Sequence, residues 1–295
     1  MNGTKNTRKL FGAERAFAFA TAIISATLVA AISQTRTIAQ QPARAQAPAP
    51  GTGAPPSRFH EPDPYDFDEH AGFVQIFDGK TLNHWDGDPA TWRVEDGAIV
   101  GESTTEKPRN NTYISYHGEE AKDFDLKFEI KVEKGGGSGI QYRSEVGLPW
   151  MRPRAGQPAP NLAWMMTGPQ ADFWYPVSPH SFSYTGQFYS ENTDLGIQAW
   201  RGQVAMAVPG KNPRLLGNIG SRDALGGYVK INDWNQYEII ARGGVFIHII
   251  NGQLMAVYVD DDPKSSNNIS GLIGIEMEGT PSKTSVRNIW LKKLN

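Results

Sequence analysis

The chain has 295 residues, 20% of them charged, and a formal net charge of −2. This charge gives no reason to expect nucleic acid or an anionic membrane as a partner. It contains no Cys, which excludes structural disulfides, thiolate metal sites, a Cys nucleophile and a Cys-linked lipid anchor. A chain of this length holds one large domain or two small ones.

The N-terminal part has the pattern of an export signal followed by a linker. In residues 1–39 a basic start precedes an uncharged apolar stretch, residues 16–33, and cleavage is expected after Ala39 or Ala47. An uncleaved signal anchor is the alternative, because the stretch is near the length that spans a bilayer. Residues 40–71 are rich in Pro and Ala, which predicts a disordered linker. We expect a periplasmic or extracellular protein that is not stably inserted in a membrane after cleavage.

The remainder, residues 72–295, shows many short runs in which apolar and polar residues alternate, and no sustained helical repeat. The clearest run is "DFDLKFEIKVE", residues 123–133. The Asp96-Gly97 and Asn251-Gly252 pairs are typical of tight hairpins. This pattern predicts an all-β domain, a jelly-roll sandwich of two antiparallel sheets.

A long segment, Val146 to Pro169, interrupts the alternation with five Pro and two Trp. It cannot be a central strand, because each Pro lacks the N–H that a ladder needs. We expect a loop whose Trp150 and Trp164 contact a ligand at the rim of the site.

The stretch "GGGSGIQYRSE" places Gly135 to Gly137 before a second alternating run. In a regular strand Gln141, Arg143 and Glu145 share one face, and Glu129 is expected on the polar face of the preceding strand across a turn. The glycines favour close approach of a ligand to these groups. The alternative is a solvated face with cross-strand ion pairs.

Two further sets of residues are candidates for a site. Gln170, Asp172 and Trp174 alternate on one strand and offer an amide, a carboxylate and an apolar platform to a sugar, although an exposed strand is an equal alternative. Glu276 lies two residues from Glu278, and like charges on one face raise the pKa of one of them. His248 is a candidate acid or base; a structural histidine is the alternative.

Several familiar catalytic and metal-binding motifs are absent. The sequence has no nucleophile elbow, P-loop, dinucleotide-binding glycine motif or zinc-protease histidine pair. The acidic run at residues 260–268 lacks EF-hand spacing, and its Pro263 favours a turn. We therefore predict neither a metal nor another cofactor.

Seven segments along the domain together resemble the 3-keto-disaccharide hydrolase domain family. In order they are "FVQIFDGKTLNHWDGD", "WRVEDGAIVG", "DFDLKFEIKVEKGGGSGIQYRSE", "GPQADF", "WNQYEIIARG", "IHIINGQLM" and "SVRNIWLKKL". The resemblance covers roughly Gly72 to Asn295. It implies a concanavalin A-like fold and action on glycosides whose ring carbon 3 is a ketone.

The resemblance carries over to individual residues. The family's Ser-Gly-x-x-Tyr-Arg motif matches Ser138, Gly139, Tyr142 and Arg143, its Gln-x-Asp strand matches Gln170 and Asp172, and its acidic position matches Glu129. Two departures stand out: Pro169 replaces a frequent Tyr, and Glu276 and Glu278 stand where Gln and His are often found.

These residues predict a hydrolase that works by proton abstraction at carbon 2, elimination and hydration. Arg143 and Gln170 are expected at the ketone oxygen, Asp172 or Glu129 as the base, and Glu276 or His248 as the acid. The predicted sugar contacts are Gln141, Tyr142, Trp85, Trp150 and Trp164. The alternative is a non-catalytic carbohydrate-binding module, and a structural adhesion domain is a third reading.

Overall fold

The structure is a computed structural model that describes residues 60–109, 111–151, 161–175 and 184–294. The packing of the chain separates residues 1–61 from a compact unit, Pro62–Asn295. The predicted signal peptide and residues 40–59 of the predicted linker lie outside the described residues. Within the described ranges, no helix is long and apolar enough to cross a membrane.

Two β-sheets make up most of the compact unit. The strands are β1 (Val74–Gln75), β2 (Trp85–Gly87), β3 (Trp92–Glu95), β4 (Ala98–Ser103), β5 (Thr112–Ala121), β6 (Phe124–Glu133), β7 (Gly137–Val146), β8 (Met166–Trp174), β9 (Phe188–Glu191), β10 (Gly196–Ala199), β11 (Gln203–Val208), β12 (Lys211–Asn218), β13 (Asn235–Arg242), β14 (Val245–Ile250), β15 (Gln253–Val259), β16 (Gly271–Glu278) and β17 (Ser282–Lys293). A short helix, α1 (Arg222–Gly226), and a 3₁₀ turn, Ser266–Asn268, complete the described elements.

The sheets differ in size and share no strand. Sheet A has the order β12-β11-β15-β14-β13-β6-β17-β4-β3, with β1 added beside β17. Sheet B has the order β10-β9-β8-β7-β16-β5-β2. Among these described strands, all neighbours are antiparallel except β11 and β15. This architecture confirms the predicted all-β sandwich.

The apolar core lies between the two sheets, because alternate residues of each strand point inward. In sheet A, Leu126 and Phe128 of β6 are fully buried. In sheet B, Ile140, Ala171 and Ile275 contribute to the same core. Each such large side chain stabilises the fold by about 1.5–3 kcal/mol. The residues between them in sequence therefore face outward.

The glycines after β6 form a crossing between the sheets, not the turn of a hairpin. The strand before them, β6, belongs to sheet A, and β7 belongs to sheet B. The expectation that a turn at Gly135–Gly137 places Glu129 across from the Gln141 strand is therefore wrong. The hairpins predicted at Asp96-Gly97 and Asn251-Gly252 are confirmed, since β3 pairs with β4 and β14 with β15.

The segment that precedes β1 packs on the outer face of sheet A. The Lys127 side chain is 5% exposed, and its Nζ donates to the backbone carbonyls of Asp66, Phe67 and Glu69 at 3.1, 3.2 and 2.9 Å. Phe67 is also buried. Part of the segment predicted as linker is thus included in the compact unit.

Candidate functional site on the outer face of sheet B

The outward residues of three adjacent strands bring two carboxyl groups into one row. Glu276 of β16 lies opposite Gly139 of β7, and Gly139 lies opposite Asp172 of β8. Two strand spacings put the backbones of β16 and β8 about 10 Å apart. Gln141 and Gln170 face each other in the next row. The row is therefore two carboxyl groups on either side of a residue with no side chain.

Gly139 makes room for a carboxamide between the two acids. A Cβ at this position would overlap the side-chain amide of Gln170. Because the glycine lacks this atom, the Gln170 side chain lies over the β7 backbone and reaches Glu276 on the far side. The space left by the missing Gly139 side chain is therefore filled by the Gln170 side chain.

A chain of hydrogen bonds ends at Glu276. Ser144 Oγ donates to Gln141 Oε1 at 2.9 Å, and Gln141 Nε2 donates to Gln170 Oε1 at 2.8 Å. Gln170 Nε2 then donates to Glu276 Oε2. All four side chains are at most 1% exposed. Because buried polar groups need partners, this chain holds the Glu276 carboxyl in one position.

Two more donors reach the other oxygen of Glu276. The Tyr113 hydroxyl donates to Oε1 at 2.9 Å and Asn111 Nδ2 donates at 3.1 Å. Burial raises the pKa of Glu276 well above its usual range, and the nearby Glu278, Glu191 and Asp172 raise this pKa further, while the bond from Tyr113 lowers it. Glu276 therefore keeps its proton at a pH where an ordinary Glu has lost it.

Asp172 has a similar environment. Its side chain is 4% exposed, and burial raises its pKa well above the usual range. Gln187 Nε2 donates to its Oδ2, which lowers this pKa, and Glu191 and Glu278 raise it. Two carboxyl groups with raised pKa values on one face are typical of acid–base sites.

An apolar wall stands beside Glu276. Tyr113 packs with Met165 and Met166, and Trp150 packs against the same cluster. The sulfur of Met166 occupies the space that a Cβ on Gly274 would fill. Trp150 therefore packs against this wall, and its predicted contact with a ligand stays a prediction.

Trp164 lies further along the same face, towards β2. Its Nε1 donates to Asp86 Oδ1 at 3.4 Å, and its ring is partly exposed. Residues 152–160 of the predicted ligand-contacting loop lie outside the described residues.

The structure removes Arg143 from the face that Gln141 occupies. Arg143 has a φ of +48°, and the β7–β8 register shifts between Gln141 and Glu145, so the alternation is broken there. The buried guanidinium donates to the Asn267 carbonyl at 3.2 Å and pairs with Asp123 at 3.0 Å. The prediction that Arg143 shares a face with Gln141 is therefore wrong.

Glu129 is on the opposite side of the molecule. It belongs to β6 of sheet A, where it pairs with Arg287 at 2.9 Å and accepts a hydrogen bond from Asn288 at 2.5 Å. The expectation that it faces Gln141 is wrong, because its strand and β7 are in different sheets.

His248 and Tyr142 lie inside the core between the sheets. His248 Nδ1 is 3.1 Å from the carbonyl oxygen of Gln187, which can only accept, so the other nitrogen, Nε2, accepts from the Tyr142 hydroxyl at 2.9 Å. Burial lowers the pKa of His248 to about 3. The structure thus places both groups away from the row of carboxyls, as neutral partners that bridge the two sheets.

Trp85 is also a core residue. Its side chain is 7% exposed, its Nε1 donates to the Ile76 carbonyl at 2.9 Å, and its ring packs on Tyr116. These contacts place it behind sheet B, away from the face that carries Asp172 and Glu276.

The family model of the 3-keto-alpha-glucoside-1,2-lyase-like domain matches residues 72–292, most of the chain. The chain belongs to this family. The lyase-like domain is also similar to a 3-keto-disaccharide hydrolase from Bacteroides thetaiotaomicron, with 39% identity over 83 residues. That match covers 25% of this chain and 28% of the relative, so it spans little more than a quarter of the relative's length.

Solved structures of the same general shape are more distant. A Bacillus subtilis protein with a galectin-like fold has 14% identity and a TM-score of 0.45, over 72% of this chain and 90% of that one. The carbohydrate-binding module CBM66 from Bacillus subtilis has 12% identity and a TM-score of 0.41, over 71% and 96%.

The lyase-like domain holds site residues that the sequence patterns did not single out. Asn111 precedes β5, Tyr113 is the second residue of β5, and Gln187 precedes β9. Tyr113 is part of the alternating run "NTYISYH", which predicts a strand but not a contact with Glu276. Its contact with Glu276 depends on the pairing of β5 with β16, which brings together two residues that are 163 positions apart in the sequence.

Proposed function

We propose that this protein is a glycoside hydrolase that acts on 3-keto-glycosides, with Asp172 as the base and Glu276 as the acid. The observation that carries the proposal is the row in which these two carboxyls, both with raised pKa, flank Gly139. Membership of the lyase-like family and the name of the Bacteroides relative support the same chemistry.

The reaction follows from the ketone at carbon 3. The ketone acidifies the hydrogen on carbon 2, so the base removes this proton and an enediolate forms across carbons 2 and 3. The electron pair then expels the glycosidic oxygen from carbon 1, and the acid protonates that oxygen as it leaves. Water adds across carbons 1 and 2, with its hydroxyl on carbon 1, and one water is consumed for each bond cleaved.

The geometry assigns a part to each group. A base works best when its pKa is near the working pH, and burial raises the pKa of Asp172 from its usual acidic range in that direction. Glu276 is assigned as the acid because Asp172 raises its pKa in addition to burial and to Glu278 and Glu191, which act on both groups, so Glu276 is the group that keeps its proton. The Gln170 carboxamide lies over Gly139, between the two acids, and is the donor for the negative charge that develops on the ketone oxygen.

The test uses 4-nitrophenyl 3-keto-glucoside and measures the nitrophenol released. We expect Asp172→Asn and Glu276→Gln to lower kcat/KM by about a hundredfold or more. Glu129→Gln, on the outer face of sheet A, is the matched control and keeps the wild-type rate. Release that fails in the wild type, or that continues at full rate in Asp172→Asn, would contradict the proposal.

Deuterium at carbon 2 tests the elimination itself. Abstraction of this proton predicts slower release from the deuterated substrate, and reaction in D₂O puts deuterium on carbon 2 of the product. A product without deuterium at carbon 2 indicates direct displacement at carbon 1 instead.

A non-catalytic carbohydrate-binding module is the second candidate, and the near-complete burial of Gln170 and Glu276 is the observation that favours it. In that case unoxidised glycans bind and no 3-keto-glycoside is cleaved.

We further propose that the protein acts outside the cytoplasm after its signal peptide is removed, on the basis of residues 1–39. Cell fractionation and sequencing of the mature N-terminus test this. Full-length protein in the cytoplasmic fraction contradicts it.

A further inference from the structure

Beyond Asp172, strand β8 carries a tryptophan on the same outward face. Trp174 is two residues further along, about 6.7 Å from Asp172 along the strand, and it is partly exposed. Trp174 lies opposite Gly137 in the β7–β8 ladder. A Cβ on Gly137 would lie 2.6 Å from Cε2 of the indole, with two more ring atoms within 2.8 Å. The ring therefore lies flat and low on the β7 backbone.

Aromatic side chains hold this ring from the side. Tyr184 packs against Trp174 with ring centroids 5.1 Å apart at 68°, and Tyr184 stacks on Trp200 at 6.0 Å and 27°. The Arg222 guanidinium lies 4.1 Å from the centroid of Trp200. Trp200 thus contacts both Tyr184 and Arg222, and this set holds Tyr184 in place beside Trp174.

The backbone of Trp174 is fixed as well. Its N–H donates to Thr185 Oγ1 at 2.9 Å, and the same hydroxyl donates to its carbonyl at 3.0 Å. Arg201 Nη1 donates to the Thr185 carbonyl at 2.8 Å. A platform held in this way loses little conformational entropy when a ring stacks on it.

We propose that Trp174 is the platform of a second subsite, which binds the ring of the leaving group by stacking. The proposal rests on the proposed function, since the leaving group is defined by the bond that Asp172 and Glu276 cleave. The ligand chemistry is a flat apolar face: the C–H face of a second sugar or an aryl ring. The subsite lies one side-chain repeat beyond the row of carboxyls, so a ring bonded to the reacting sugar reaches it.

The test compares three substrates that differ only in the leaving group: methyl 3-keto-glucoside, 4-nitrophenyl 3-keto-glucoside and a 3-keto-disaccharide. We expect Trp174→Ala to raise KM about five- to tenfold for substrates whose leaving group has a ring, with the methyl glycoside unchanged. Trp174→Phe keeps most of the wild-type KM. The nitrophenyl and disaccharide arms show whether an aryl or a sugar ring is bound.

Trp234→Ala is the matched control, because this partly exposed Trp packs against Arg287 on sheet A. We expect this variant to leave all KM values unchanged. Equal loss on all three substrates in Trp174→Ala would overturn the subsite. If the wild type cleaves none of them, the proposed reaction fails instead. Calorimetric binding of the disaccharide then decides the subsite: weaker binding by Trp174→Ala supports it and equal binding overturns it.

Discussion

At the scale of single residues, the chain from Ser144 to Glu276 suits an acid that gives up its proton. As assigned, Gln170 and Gln141 donate towards Glu276, which fits a carboxylate. Carboxamides present an acceptor on one side and donors on the other, so the same groups form an equally complete chain with both amides reversed. Glu276 then donates as a neutral acid. The network therefore satisfies both protonation states.

Tyr113→Phe tests the protonation of Glu276. The Tyr113 hydroxyl donates to Glu276 and lowers its pKa, so its removal raises this pKa further. Because Glu276 must be protonated to act as the acid, we expect the alkaline limb of the kcat/KM profile to move to higher pH. An unchanged limb would show that another group titrates there. Carbon-13 NMR of the Glu276 carboxyl measures the same shift without turnover.

At the scale of elements, β7 shows why one strand can contain so much glycine. Its outward positions 137 and 139 lie beneath Trp174 and Gln170 of β8, and neither position has room for a Cβ. The adjacent inward residue, Ile140, is in the core. One face of the strand thus packs in the core, and the other face is a floor of bare backbone on which side chains of β8 lie.

Gly139→Ala tests this floor. The new methyl group would overlap the amide of Gln170, so we expect the side chain to be displaced, the chain to Glu276 to break and the free energy of unfolding to fall by about 1–3 kcal/mol. Thermal unfolding and nitrophenol release measure the two effects. Gly217→Ala in β12 is the matched control, because nothing lies within 4 Å of that position. Equal stability of the two variants contradicts this account.

At the scale of the whole molecule, the outer faces of the two sheets carry different groups. The outer face of sheet B carries Asp172 and Glu276, and the outer face of sheet A binds the N-terminal segment through Lys127. Asp125 lies beside Lys127 on that face, and burial together with Glu238 raises its pKa to about 7, while Lys127 and Lys292 lower it.

Asp125→Asn tests the cost of this burial. The folded pKa of about 7 lies above the value of 3.8 that Asp has in the unfolded chain, so between these values the folded state holds a proton that the unfolded state has lost. Wild-type stability from this group is therefore greatest at low pH and falls as pH rises towards 7. At pH 8 we expect the free energy of unfolding of Asp125→Asn to exceed that of the wild type by ~1–2 kcal/mol. This is less than the whole pKa difference would give, because the side chain is partly exposed and solvent screens its charge.

Chemical denaturation at several pH values provides the internal control for Asp125. Near pH 4 the wild-type carboxyl is neutral in the folded state, so the difference from Asn is expected to vanish. A difference that is constant across this range would show that Asp125 does not titrate with the expected pKa.

The strands, the sandwich and the local pair Gln170 and Asp172 could be predicted from the amino-acid pattern, because a period of two places residues i and i+2 on one face without reference to the rest of the chain. The same pattern also pointed to Glu276. The strands that share a sheet could not be predicted in this way, and their pairing places Glu129 on the far side of the molecule and brings Tyr113 to Glu276. The tertiary structure also decided where the β7 ladder shifts, which turned Arg143 away from Gln141. Alternation orders a strand about its own axis, whereas pairing and bulges depend on contacts between distant segments.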